Sequence, residues 1–148
     1  MLHAYTDGAC RVSNPGQCSC AFVVYKDGVE IYSGTNFLGP ENHTNNYAEY
    51  QGLLECLRWA YTVKKTGMLI HCDSLLVVNQ VTGVWKISAE LEQWATAARA
   101  LVLQGNHTIK HVRGHQGIVG NERADQLCNQ TLDAVCPREK KEKLSCVI

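Results

Sequence analysis

What this sequence of 148 residues lacks already removes several classes of protein. It has no net charge, because 14 Lys and Arg balance 14 Asp and Glu. No bulk basic field therefore advertises a polyanionic partner. No apolar run approaches the roughly 18 residues of a membrane span. Residues 1–7 carry no secretory pattern. The expectation is a cytoplasmic protein with no membrane partner. No internal repeat or linker is visible, and the length fits one domain. Disorder is excluded by composition, since 45% of residues are hydrophobic and only 19% charged. No Cys-x-x-Cys occurs either. The eight cysteines (10, 18, 20, 56, 72, 128, 136 and 146) sit in apolar runs and are expected to be free buried thiols. A zinc site joining Cys18 and Cys20 to His107, His111 or His115 is the alternative, but its spacing matches no standard site.

The neutral total hides an uneven distribution. Residues 137–148 hold Arg138, Lys140, Lys141 and Lys143 against Glu139 and Glu142, which leaves residues 1–136 with a net charge of −2. The expected organisation is a folded body over 1–136 and a mobile basic tail over 137–148. Two divalent cations held by four of the body's acids would make it net positive. A polyanionic partner is thus not excluded.

Hydrophobic periodicity gives the element order. Residues 2–6 alternate weakly and run into Asp7-Gly8, a turn-like pair. Cys20 to Tyr25 reads as a strand, Lys26-Asp27-Gly28 as a hairpin turn and Val29 to Asn36 as a third strand. Tyr47, Tyr50, Leu53, Leu54, Leu57 and Tyr61 recur at helical spacing after the cap formers Thr44, Asn45 and Asn46. Residues 68–72 form a nearly continuous apolar run, as expected of a strand buried on both faces. A short helix to about Gln80, a longer one from Ser88, a strand over 108–113 and a last helix over 121–135 follow. The order βββαβααβα predicts an α/β fold with a mixed sheet flanked by helices.

Four acids stand at element ends. Each has an innocent reading: Asp7 as a turn residue, Glu49 as the partner in a capping box with Asn46, Asp73 as a helix cap, and Asp125 as a solvated residue on a helix. Together they read differently. Glu49 borders the apolar stripe of its helix, beside a buried strand that ends at Asp73. A carboxylate there is costly unless a cation is present. Clustered carboxylates select hard, oxygen-seeking cations such as Mg²⁺ or Mn²⁺.

Five segments now carry a resemblance. They are Tyr5-Thr6-Asp7-Gly8-Ala9, Thr44-Asn45-Asn46-Tyr47-Ala48-Glu49, Cys72-Asp73-Ser74, Arg113-Gly114-His115-Gln116-Gly117 and Asn121-Glu122-Arg123-Ala124-Asp125. In order and spacing over residues 2–133 the sequence resembles the type 1 ribonuclease H family. The resemblance implies a five-stranded mixed sheet, three antiparallel strands then two parallel. It also implies endonucleolytic hydrolysis of the RNA strand of RNA/DNA hybrids, leaving 5′-phosphate and 3′-hydroxyl ends, by a monomer using two Mg²⁺ ions for which Mn²⁺ may substitute. By motif position Asp7, Glu49, Asp73 and Asp125 would be both catalytic and metal-binding. Asp7 would bridge both ions, Asp73 would lie near the attacking water, Glu49 near the 2′-hydroxyl, and Asp125 would complete the shell of the second metal. His115 would assist proton transfer or product release, which suits an imidazole between Gly114 and Gly117. Asn14, Asn45 and Asn46 would contact the minor groove, where 2′-hydroxyls distinguish RNA from DNA. Thr44 would join a DNA-phosphate pocket.

The sequence also departs from the family. Residues 82–87 lead almost directly into Ser88, which resembles the short form without a basic protrusion. Leu75 stands where bacterial members have Gln, and Asn42 where some have Arg. Trp85 and Lys86 read either as part of a DNA-strand channel or, for Trp85, as core. Two other functions remain open at this stage: a non-catalytic nucleic-acid-binding module, and another nuclease of the superfamily.

Overall fold

The computed structural model describes residues 1–114 and 117–136. Its elements are β1 (Leu2–Arg11), β2 (Gln17–Lys26), β3 (Val29–Phe37), α1 (Asn45–Thr62), β4 (Leu69–Cys72), α2 (Leu75–Val81), a 3-10 turn (Ala89–Leu91), α3 (Glu92–Gly105), β5 (Thr108–His111) and α4 (Val119–Val135). They build a five-stranded sheet in the order β3-β2-β1-β4-β5. The β1–β2 and β2–β3 pairs are antiparallel; β1–β4 and β4–β5 are parallel. This is the mixed sheet that the sequence predicts.

Local chemistry explains most boundaries. Asp27 and Gly28 both adopt positive φ, 50° and 79°, the geometry that closes a two-residue hairpin between twisted strands. The Thr44 hydroxyl accepts from the Tyr47 amide and caps α1. Ser74 does the same for α2 through the Val77 amide. Asn106, at φ 53°, ends α3 in the left-handed conformation.

Side chains of β1 alternate between two helix layers. Ala4 joins the main core with Tyr50, Leu53, Leu54 and Leu57 of α1 and with Val77, Leu91 and Ala95. The odd-numbered residues face α4: a Cβ on Gly120 would strike the Tyr5 ring, and Arg11 bonds Asn129 and Asp133. A smaller core of Ala21, Leu127 and Cys128 lies there.

Three expectations need correction. Asp7-Gly8 is no turn, because β1 runs unbroken to Arg11. Second, β4 is not buried on both faces. Its burial alternates, since α4 covers β1 to β3 and leaves His71 stacked on Tyr5 at 4.4 Å on an open face. Third, the cysteines are not all free. The β1–β2 register sets Cys10 opposite Cys18, with Cα atoms 4.0 Å apart, and the two form a disulfide. Among the described residues Cys20, Cys56, Cys72, Cys128 and Cys136 are free, and all but Cys136 are buried. With Cys18 bonded to Cys10, the zinc alternative loses its first ligand. No described helix is long and apolar enough to cross a membrane.

Candidate active site

The carboxylate cluster follows from strand order. β1 and β4 are parallel neighbours with Thr6 beside Cys72, so the next residues, Asp7 in mid-strand and Asp73 just past the end of β4, come side by side. Helix α1 crosses β1 at Gly8. A Cβ on Gly8 would lie 2.2 Å from the Ala48 carbonyl carbon, so only glycine permits this approach. The approach brings Glu49 in: its Oε1 accepts from the Gly8 amide at 2.5 Å, while Asp7 Oδ1 accepts from the same amide at 2.9 Å. Asp7, Glu49 and Asp73 each offer an oxygen within 4.8 Å of the others.

Three of the innocent readings fail on this geometry. Asp7 is mid-strand. The α1 cap is Thr44, so Glu49 is not at the capping-box position. The α2 cap is Ser74, not Asp73. Asp7 and Glu49 are 5% and 8% exposed. Burial, then the Asp73 charge, pushes the Asp7 carboxyl well above its ordinary range. Burial, then the Cys72 and Asp7 groups, does the same to Glu49. Two buried acids held this close oppose ionisation together unless a cation joins them. The donor set is all carboxylate oxygen, which fits a hard divalent ion such as Mg²⁺ or Mn²⁺.

Asp125 stands slightly apart. It projects from α4 into the same cavity of about 390 Å³, with Asn45, Asn46, Ser74 and Cys10 on the walls. It is outside the tight trio, and its Oδ1 accepts from Asn129 at 3.3 Å. Asn14 reaches the rim, where its Oδ1 accepts from the Asn45 amide at 2.9 Å. Asn14, Thr44 and Asn45 are exposed, and Asn46 is half-buried. His115 lies outside the described residues. Its neighbour Gly114 passes over the site, since a Cβ there would sit 3.3 Å from Asp73 Oδ2. Trp85 is 44% exposed, which removes its core reading. Sequence reasoning missed Gly8, whose amide serves two of the acids. Its only signal was the glycine itself, read as a turn.

The RNase H family model matches residues 1–133. The chain belongs to the RNase H family. Ribonuclease HI of Halobacterium salinarum is 36% identical over 135 residues, covering 89% of this chain, which spans 64% of that relative's length. Ribonuclease H of Herminiimonas arsenicoxydans is 34% identical over 149 residues, covering 90% of this chain and 96% of its own. The crystal structure of the Halobacterium RNase H1 superposes with a TM-score of 0.79 at 35% identity, covering 90% of this chain and 98% of that one. LC11-RNase H1, solved in complex with an RNA/DNA hybrid, gives a TM-score of 0.79 at 25% identity, covering 91% of this chain and 99% of that one. By family and fold this RNase H chain is a ribonuclease H enzyme.

Proposed function

We propose that this RNase H hydrolyses the RNA strand of RNA/DNA hybrids endonucleolytically, with two divalent ions, leaving 5′-phosphate and 3′-hydroxyl ends. The observation that carries the reading is the meeting of Asp7, Glu49 and Asp73 within 4.8 Å at the mouth of a cavity that Asp125 also lines. The hybrid bound by LC11-RNase H1 supports the substrate class. Asp7, Glu49, Asp73 and Asp125 would hold the ions. Such ions, when bound, lower the pKa of water and offset the charge that develops on the leaving oxygen. In the reaction a water oxygen bonds to phosphorus, the bond from phosphorus to the ribose O3′ breaks, and the 3′ oxygen takes a proton.

The chain's own residues supply orientation. Gly8 fixes Glu49 and Asp7 through one amide, so both carboxylates keep one geometry. Asn14, Asn45 and Asn46 would contact a hybrid's minor groove, and Thr44 would join a DNA-phosphate pocket. Amide side chains read 2′-hydroxyls in that groove without adding charge. His115, the next residue in sequence after Gly114, would move the proton to the leaving oxygen or help the product leave. We read the enzyme as a cytoplasmic monomer that uses Mg²⁺, with Mn²⁺ as substitute.

The test is cleavage of one sequence as hybrid, duplex DNA and duplex RNA, with Mg²⁺ supplied and then chelated, followed by end-group analysis. Cleavage of the hybrid alone, lost on chelation and leaving the stated ends, is the expected result. Hybrid binding without cleavage at any Mg²⁺ or Mn²⁺ concentration would favour a non-catalytic module, and equal cutting of duplex DNA another nuclease.

A further inference from the structure

One buried cation has no part in the chemistry just described. Arg11 is 8% exposed and lies on the α4 side of β1, four residues beyond Asp7. Its guanidinium donates to the Asp133 carboxylate and, at 3.1 Å, to the Cys136 carbonyl. It also donates to Asn129 twice, to the side-chain Oδ1 at 2.9 Å and to the main-chain carbonyl at 3.4 Å. Asn129 passes the contact on. Its Nδ2 donates to the Asp125 carbonyl at 3.0 Å and to the Asp125 carboxylate at 3.3 Å.

A side-chain amide has one accepting end and one donating end. With Oδ1 taken by the guanidinium, Nδ2 is turned towards Asp125. We infer that Arg11, acting through Asn129, is the positioning residue for Asp125 and sets the rotamer from which that carboxylate meets a divalent cation. The inference rests on the reading of Asp125 as a metal ligand. It explains why the cation is arginine. A planar fork serves four acceptors on three residues at fixed angles, whereas the single ammonium of lysine does not. It also explains why the device starts on β1. Asp7 and Asp125 stand on different elements, and Arg11 ties the strand of the first to the helix of the second. Groups that orient a ligand in this way typically change metal affinity by roughly tenfold or more when removed.

The test uses the full chain and Mn²⁺ as the probe. Calorimetric Mn²⁺ titrations are run on wild type, Asn129→Ala, Arg11→Lys, Asp133→Asn and Asp125→Asn, beside the Mg²⁺ dependence of hybrid cleavage. Alanine favours helix over asparagine, so Asn129→Ala keeps α4. It should weaken Mn²⁺ binding and raise the Mg²⁺ needed for half-maximal cleavage by roughly 10-fold, towards the Asp125→Asn values, with the KM for hybrid unchanged. Arg11→Lys should move both readouts the same way. If it fails to fold, Asn129→Ala decides alone. Asp133→Asn should lower the unfolding temperature yet leave both metal readouts at wild type, because the Arg11–Asn129 contact survives. Wild-type metal readouts in Asn129→Ala, while Asp125→Asn differs, would overturn the inference and leave the proposed function standing. Wild-type readouts in Asp125→Asn itself would instead overturn the reading of that residue as a ligand.

Discussion

Replacing Asp73 by Asn should stabilise the metal-free protein while abolishing its activity. The three acids place oxygens within 4.8 Å of one another. Two unit charges at that spacing repel by about 3.5 kcal/mol at an effective dielectric constant near 20. Protonation relieves part of this, since burial raises both Asp7 and Glu49. The gain from Asp73→Asn at neutral pH is therefore smaller, about 1–3 kcal/mol, or roughly 3–10 °C in Tm for a domain of this size. The pH dependence has a definite sign. An acid whose pKa is raised in the folded state adds stability below its unfolded pKa, and that stability is lost as pH rises through the folded pKa. Metal-free wild type should therefore lose stability as pH rises from about 4 through neutrality, and the variant should lose less. Mg²⁺ reverses the order. A ligand at 100 times its Kd adds about 2.7 kcal/mol, and the variant, short of one ligand, should gain little. The assay is thermal unfolding by circular dichroism at pH 5 and 7.5, in chelator and in Mg²⁺, with hybrid cleavage measured alongside. A variant that melts at or below wild type in chelator at pH 7.5, or that gains as much from Mg²⁺, would refute the reasoning. So would retained cleavage.

Gly8→Ala should cost about 3 kcal/mol, because the new methyl would meet the Ala48 and Glu49 backbone at 2.2 and 2.4 Å; an unchanged urea midpoint would count against that close approach. His115→Ala should slow turnover roughly 10- to 100-fold, as loss of a proton-transfer group does, and an unaltered rate at every pH would remove it from the mechanism. Asn14→Ala frees the Asn45 amide at the rim and should raise the KM for hybrid with little change in kcat; a fall in kcat alone would contradict a role in binding. Deletion of residues 137–148 should weaken hybrid binding mainly at low salt, since lost phosphate contacts are screened; a loss independent of salt would show that the segment packs on the body.

How much was legible beforehand varied by element. The hairpin at Lys26-Asp27-Gly28 declared itself, because few residues take positive φ twice in succession. The α1 stripe was equally plain from its period. The run ending at Cys72 was legible as a strand but not in its burial. Apolar content cannot tell two covered faces from one covered face and one open face carrying His71. The Asp7-Gly8 pair misled for a similar reason. Glycine serves turns and close approaches alike, and only the path of α1 decides between them.

The candidate acids were legible as residues of the right chemistry in family order, and so was the sequence of strands and helices. Those are properties of composition, period and spacing, which the chain carries wherever it goes. Their meeting was not such a property. Residues 7, 49 and 73 become neighbours because β1 pairs in parallel with β4 and because Gly8 admits α1. The Cys10–Cys18 bond depends on the β1–β2 register, and the Arg11–Asn129–Asp125 relay on where α4 lands on the sheet. Side-chain types are local, whereas distances between them arise only when distant segments pack.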